Sequence, residues 1–277
     1  MASTETLTYP QRAQVVFPGW DLKIETWPQQ IFKIAGVELM RILIKCVACS
    51  FLLFISSPLR AQATAPPQSD RAPSVQEILD RMMTRNAWQD HTLLEFRALR
   101  KFYAANFRFK TESTMYVQTV FRRPDQLQST VTSHEGSNLI RSRVFDKILE
   151  AENETRAKKD KQQVDIIPAN YTFSFVDAED CNGRPCYRMR ISPRRREKYA
   201  LDGEIWIDSE DYSIVRIHGA PAKRPSLWTL KTEIDRRYKK VDGIWLPERM
   251  DSSSNIMIAG HSVLSIEYTY NSVQTQQ

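Results

Sequence analysis

Between Gly203 and Tyr270, apolar and polar positions alternate with a period of two, which predicts four or five short strands. The runs are GEIWIDSEDYSIVRIHG, SLWTLKTEIDRRYKK, IWLPERM and HSVLSIEYTY. Turn-forming clusters separate them: Asp208-Ser209-Glu210-Asp211, Gly219-Ala220-Pro221, Val241-Asp242-Gly243 and Ala259-Gly260. Alternation puts Ile205 and Ile207 on one face, opposite Glu204, Trp206 and Asp208. Val215 and Ile217 are expected to oppose Ile214, Arg216 and His218, while Leu264, Ile266, Tyr268 and Tyr270 share a face. Connections this short make neighbouring strands antiparallel, so the stretch reads as a meander with one apolar, concave face.

Upstream the period changes. Ser74-x-x-Glu77 is a capping box that opens a helix, and Val75, Ile78, Leu79, Met82 and Met83 form its apolar stripe to about Asn86. From about Thr92 to Thr132 the chain is strand-like, with LLEFRALRKFYAANFRFK as one run and a turn at Arg122-Arg123-Pro124-Asp125. Gly136-Ser137 opens a second helix, residues 137–159, with Ile140, Val144 and Ile148 inward. Glu150 to Gln163, dense in charge, is expected to fray or loop. A strand pair, YTFSFVDA and CYRMRIS, follows. This order predicts an α+β fold: a curved antiparallel half-open β-barrel whose concave face two amphipathic helices cover.

The chain has 277 residues, enough for a full core, and its N-terminus narrows the picture. Met40 to Lys45 is basic, Cys46 to Ser56 is an apolar run, and Ala61-Gln62-Ala63 is a cleavage signature, the three regions of a secretory signal peptide. The apolar run is shorter than the roughly 20 residues a membrane span needs. Cleavage is therefore expected between Ala63 and Thr64, with residues 64–73 a proline-rich linker before a domain at 74–277. Residues 1–39 read as an extension ahead of a later start at Met40. Cys46 and Cys49 lie too early in the apolar run to serve as lipidation sites.

Net charge is +6, and the charges are interspersed. Together with export, that sets nucleic acid aside and suits proximity to anionic lipid. Arg194-Arg195-Arg196 and Arg236-Arg237-Tyr238-Lys239-Lys240 are basic runs able to meet phosphate headgroups, or else a solvated hairpin end and a charge-blunted edge strand. Cys181 and Cys186 flank Asn-Gly, a hairpin signal. A four-residue loop would place them opposite each other, and in an exported protein that predicts a disulfide. No second Cys or His pair accompanies them, and no metal or other cofactor is expected. The four histidines are scattered, and no nucleophile elbow or phosphate loop occurs, so no catalytic residue is assigned. Ser213, His218 and Asp208 do not make a triad, because alternation sends Ser213 and His218 opposite ways.

Phe96 and Phe102 add large side chains to the apolar lining formed by Ile205, Ile207, Val215, Ile217, Leu264 and Ile266. Such a lining exceeds what two short helices can fill, which predicts a cavity for one apolar ligand. Val75, Leu79 and Met82, or Ile140, Val144 and Ile148, would form the underside of a lid.

Glu204 to Gly219, Pro221 to Ser226 and Val241 to Pro247 carry the pattern W-x-D, R-I-x-G and D-G-x-W-L-P. In these segments the chain resembles the outer-membrane lipoprotein-sorting proteins, periplasmic carriers with a LolA-like fold, over most of residues 74–272. The resemblance implies an unclosed barrel holding acyl chains beneath helical lids, with no catalytic residues. It implies an acyl lipid or lipoprotein as cargo and receptor proteins at the inner and outer membranes as partners. It also implies an arginine in the barrel tied to lid opening, to which no position of this sequence is assigned. A monomeric, non-enzymatic carrier is the first expectation. The alternative is an envelope-sensing or protein-interaction module on the same half-barrel, gripping a partner by an edge strand or by the 137–159 helix.

Overall fold

In this computed structural model, residues 72–157, 165–197, 199–224 and 229–276 are described. The expected N-terminal extension, the signal peptide with its Ala63–Thr64 cleavage point, linker residues 64–71 and Trp228 lie outside the described residues.

Ten strands form one antiparallel open sheet. They are β1 (Leu93–Asn106), β2 (Thr111–Arg122), β3 (Gln126–Gly136), β4 (Tyr171–Asp180), β5 (Pro185–Pro193), β6 (Leu201–Asp208), β7 (Ile214–Pro221), β8 (Thr229–Val241), β9 (Ile244–Ile256) and β10 (Gly260–Thr275). The order across the sheet is β3-β2-β1-β10-β9-β8-β7-β6-β5-β4. Only the β1–β10 contact joins strands distant in sequence, so β10 closes two meanders into one surface. β3 and β4 are the edges.

Helix α1 (Val75–Thr92) starts where the capping box predicts: Glu77 N donates to Ser74 Oγ, and Ser74 N donates to Glu77 Oε2 at 2.8 Å. It runs six residues past Asn86, because Gln89 turns inward as a hydrogen-bond acceptor rather than breaking the helix. The second helical segment comprises α2 (Asn138–Ile140), a π-turn at Arg141–Phe145 and α3 (Asp146–Ala157). Ser137 caps it. The π-turn's extra residue rotates the stripe so that adjacent Val144 and Phe145 are both buried, with Ile148. Glu150–Ala157, expected to fray, is helical.

Both helical segments lie on one face of the sheet. Ile78, Leu79 and Met82 of α1 pack on Met189, Ile191, Ile205, Ile207 and Ile217. Val144, Phe145 and Ile148 pack on Phe102, Met115, Val117 and Ile266. Ile234 of β8 touches both clusters, which fixes them to the same side. The other face carries cross-strand ion pairs such as Arg122–Glu95, Arg216–Asp235 and Arg249–Glu267. Gly203 and Gly219 sit opposite each other where β6 and β7 come closest. A Cβ on Gly203 would overlap the His218 carbonyl oxygen, so glycine is required by backbone proximity.

Four sequence readings are corrected. A bulge between Trp206/Arg216 and Ile207/Ile214 leaves Val215 as the extra residue, so Ile214 and Ile217 share the inner face. Val215 instead joins Trp206 and Cys186 in a small cluster away from the helices. The hairpin after β4 closes in two residues, with Asn182 at φ 58° and Gly183 at φ 83°. Cys186 is therefore opposite Glu179, not Cys181. The 236–240 run belongs to β8, an interior strand, not an edge. Finally, the run from Leu93 ends as a strand at Asn106, and its last four residues, Phe107–Lys110, form the turn into β2.

Candidate functional site

The inner surface of β1 alternates Phe96, Ala98, Arg100, Phe102 and Ala104, so an arginine stands in an apolar row. It is 1% exposed. Its Nη1 donates to Glu152 Oε1 at 2.7 Å and its Nη2 to Glu152 Oε2 at 3.1 Å, a bidentate pair between β1 and α3. Nε donates to Thr119 Oγ1 on β2 at 2.7 Å, and Nη2 also to Ser129 Oγ on β3 at 2.9 Å. The guanidinium lies over the rings of Phe102, at 5.1 Å, and Tyr268, at 5.9 Å. Burial pulls its pKa down, but Glu152 and Tyr268 outweigh burial and hold it above the ordinary arginine value. Tyr268 is pushed up to about 12, mainly by burial.

Removing two charges from water is costly, and their attraction in a dry interior about offsets it. A well-packed apolar pair in the same place is often as stable or more so by about 1–4 kcal/mol, whereas losing one partner costs about 3–5 kcal/mol. Stability alone therefore does not account for Arg100–Glu152. What the pair does supply is a directional attachment of α3 to the sheet.

Helix α1 is held differently. Arg85 Nε donates to Ser213 Oγ at 3.1 Å and its Nη2 to the Gly243 carbonyl at 3.0 Å, while Trp245 N donates to Gln89 Oε1 at 2.7 Å. These bonds tie it to two turns at one end of the sheet. Asp211 organises that end. Burial works against its ionisation, but Lys240 Nζ at 2.7 Å, Trp245 Nε1 at 2.9 Å and the Ser213 amide lower its pKa to about 2. Asp208, fully buried, accepts from the Glu210 and Asp211 amides and from Arg184 Nε. Asp242 and Gly243 both have positive φ and close the β8–β9 turn in two residues. The W-x-D and D-G-x-W-L-P segments thus meet in one structural knot. Ser213 and Asp208 spend their side chains there, while His218 lies 3.9 Å from Asp235 on β7's outward side.

The predicted lining separates into patches. Leu79, Met82, Ile205, Ile207 and Ile217 meet in one cluster, with Val75 beside it. Phe102, Val144, Ile148 and Ile266 meet in a second, with Ile140 and Leu264 at its margin. Phe96 belongs to a third inner patch with Leu93, Phe121 and Leu246. Val215 faces the other way. The lining expected to exceed what the two helices can fill is instead covered by them: Ile205 and Phe102 are fully buried beneath. An open cleft of about 550 Å³ lies outside α1, lined by Asp80, Arg81, Thr84, Arg85, Trp88 and Tyr212, a solvent-open surface feature and not an enclosed sleeve. Cys181 and Cys186 are free thiols whose side chains hydrogen-bond. The 236–240 run is used internally, through Arg237–Asp235, Lys239 Nζ to the Tyr268 carbonyl, and Lys240–Asp211.

Residues 168–276 match a family of unknown function (DUF5686). A search of curated proteins finds no match. Among solved structures, the chain is similar to a putative outer membrane lipoprotein-sorting protein domain from Vibrio parahaemolyticus, at 12% identity and a TM-score of 0.41, over 72% of this chain and 92% of that one. It is similar to a LolA superfamily protein from Nitrosomonas europaea at 10% identity and a TM-score of 0.33, over 74% and 95%. It is also similar to a chain of the MucA/MucB complex of Pseudomonas aeruginosa, at 9% identity and a TM-score of 0.25, over 70% and 93%.

Arg100 and Glu152 were not among the residues singled out by sequence. The signal was present: an arginine at an inward register position between Ala98 and Phe102 has no water to face. Its partner could not be named, because Glu152 sits in a stretch whose charge density reads as solvent-facing.

Proposed function

We propose that this protein is a non-enzymatic, exported carrier that shelters an acyl chain of a lipid or lipoprotein between the sheet and the α2–α3 segment. One observation carries the reading: a buried, bidentate ion pair fastens to an apolar sheet face a helical segment whose inward stripe is otherwise apolar. An exposed acyl chain costs about 0.8 kcal/mol per methylene in water, so a carrier needs an apolar sleeve that also opens. In the closed state the lid's own Val144, Phe145 and Ile148 occupy the sleeve. Cargo replaces them when the lid swings out, and Met115 and Met250 in the same cluster adapt to either occupant. The expected signal peptide places the work in the periplasm. Loading from an inner-membrane protein and delivery to an outer-membrane one belong to the same reading, as does a monomer.

Native mass spectrometry of protein recovered from its own envelope tests this. The expected spectrum shows a chain beginning at Thr64 with a lipid-sized adduct. A spectrum with a stoichiometric protein and no lipid overturns it in favour of a protein-interaction module. One feature favours that second reading: edge strand β4 exposes Phe175 and Val176 beside unpaired backbone, a surface suited to strand addition.

A further inference from the structure

Three strand ends meet at the end of the sheet opposite the Asp208–Ser213 and Asp242–Gly243 turns. The β1–β2 turn and the β9–β10 turn are joined by Asn106 Nδ2 donating to the Ala259 carbonyl at 2.8 Å, and by Phe107 N donating to the His261 carbonyl at 3.1 Å. The Phe107 ring stacks on His261 at 5.1 Å. Thr229 pairs with Ile256, which brings Leu230 alongside. Phe107, Phe109, Leu230, Met257 and Ile258 all project from this end, each 54–62% exposed.

Apolar side chains at turn tips serve no core. Here they stand away from the edge strands β3 and β4, where strand addition by another protein would take place. Their collar is basic. Arg108 and Lys110 alternate with the two phenylalanines, Lys223 and Arg224 are exposed at the end of β7 beside β8, and Arg194 and Arg195 are exposed farther along the same side, at the end of β5. Residues 107–110, 194–196, 223–224 and 256–261 contain no Asp or Glu. Acids at this end are fewer: Glu233 is paired with Lys231 at 2.6 Å, while Glu112, which accepts from Tyr103 Oη at 2.9 Å, Glu135 and Glu197 keep their charge. Projecting aromatic and aliphatic tips flanked by Arg108, Lys110, Lys223 and Arg224 match the interface of an anionic bilayer, where side chains enter the acyl boundary and cations meet headgroup phosphates.

We propose that the 107–110 and 257–258 tips dock this protein on an anionic lipid surface. The same end carries Gly136 and Ser137, where the lid segment begins, so docking brings that end of the lid to the membrane. This inference stands apart from acyl uptake, since the tips belong to neither cluster under the helices.

Flotation of protein recovered from the envelope tests it, with vesicles of phosphatidylethanolamine and phosphatidylglycerol against phosphatidylcholine alone. Wild type is expected to float with the anionic vesicles and to lose at least about tenfold in partitioning as the Phe107→Ser/Phe109→Ser variant. Arg108→Gln/Lys110→Gln should weaken binding to the anionic vesicles alone, and more so at low salt. Circular dichroism and fluorescent fatty-acid binding, unchanged in these surface variants, separate failure of the tip from failure of the carrier reading. Equal flotation of wild type and both variants, or no flotation of wild type, overturns the proposal. So does tip-dependent retention of an envelope protein without vesicle binding.

Discussion

Arg100 Nη1 lies 2.7 Å from Glu152 Oε1, with both side chains at most 2% exposed, and this contact spans the boundary between the sheet and α3. Replacing Glu152 by glutamine keeps the shape and removes the charge. The guanidinium is then buried without its counter-ion, which costs about 3–5 kcal/mol. Hydrogen exchange should localise the loss: amides of α3 exchange faster in Glu152→Gln, while those of α1 and β6–β7 hold. Uniform loss of protection would mean the pair supports the whole fold instead of a lid.

Asp211 makes stability depend on acid. Its pKa is about 2 in the fold against an ordinary 3.8, so its contribution is complete above about pH 4 and vanishes as pH falls through 2. That contribution is about 2 kcal/mol. Asp211→Asn should lose this amount at neutral pH and show a flatter stability curve between about pH 4 and 2, as measured by urea unfolding. A variant with wild-type acid dependence would place the sensitivity elsewhere.

Gly203 faces Gly219 at the tightest backbone approach between β6 and β7. Gly203→Ala drives a methyl into the His218 carbonyl and should cost on the order of 3 kcal/mol. Gly183→Ala meets open space but sits at φ 83°, so its cost should be smaller, about 1 kcal/mol. Thermal melts of both variants check the order.

Cys181 and Cys186 are free, diagonal neighbours at the β4–β5 hairpin. Burial raises both thiol pKa values, which makes them poor nucleophiles. Their side chains already hydrogen-bond, so in an oxidising compartment they are expected to close into a disulfide after a small shift of the hairpin backbone, which adds at most about 2 kcal/mol because the loop is short. Peptide mapping without reductant reads the bond directly, and melts with and without reductant read its contribution.

Much of the architecture was legible from local patterns. Ser74 and Glu77 announced α1, Ser137 announced the second helical segment, and the turns at 123–125, 208–213 and 241–244 followed from their own residues. The failures have a common cause, one-residue shifts that alternation cannot register. The bulge at Val215 and the two-residue Asn182-Gly183 turn each moved a side chain to a new neighbour. Phe107 and Phe109 continued the apolar rhythm of β1 so well that the run hid a turn. The site itself was half visible. The apolar lining could be read strand by strand, but the pairing of Arg100 with Glu152 spans 52 residues and exists only once α3 lies across β1.

Fluorescent fatty-acid binding to three forms of the protein decides whether α3 is a lid. Glu152→Gln weakens the latch and raises the open fraction, so apparent affinity should rise. Arg100→Met with Glu152→Leu replaces the latch by apolar packing, holds the helix shut and should lower affinity below wild type, although its melting temperature is equal or higher. Identical affinities in all three forms, or no binding by wild type, would contradict the account.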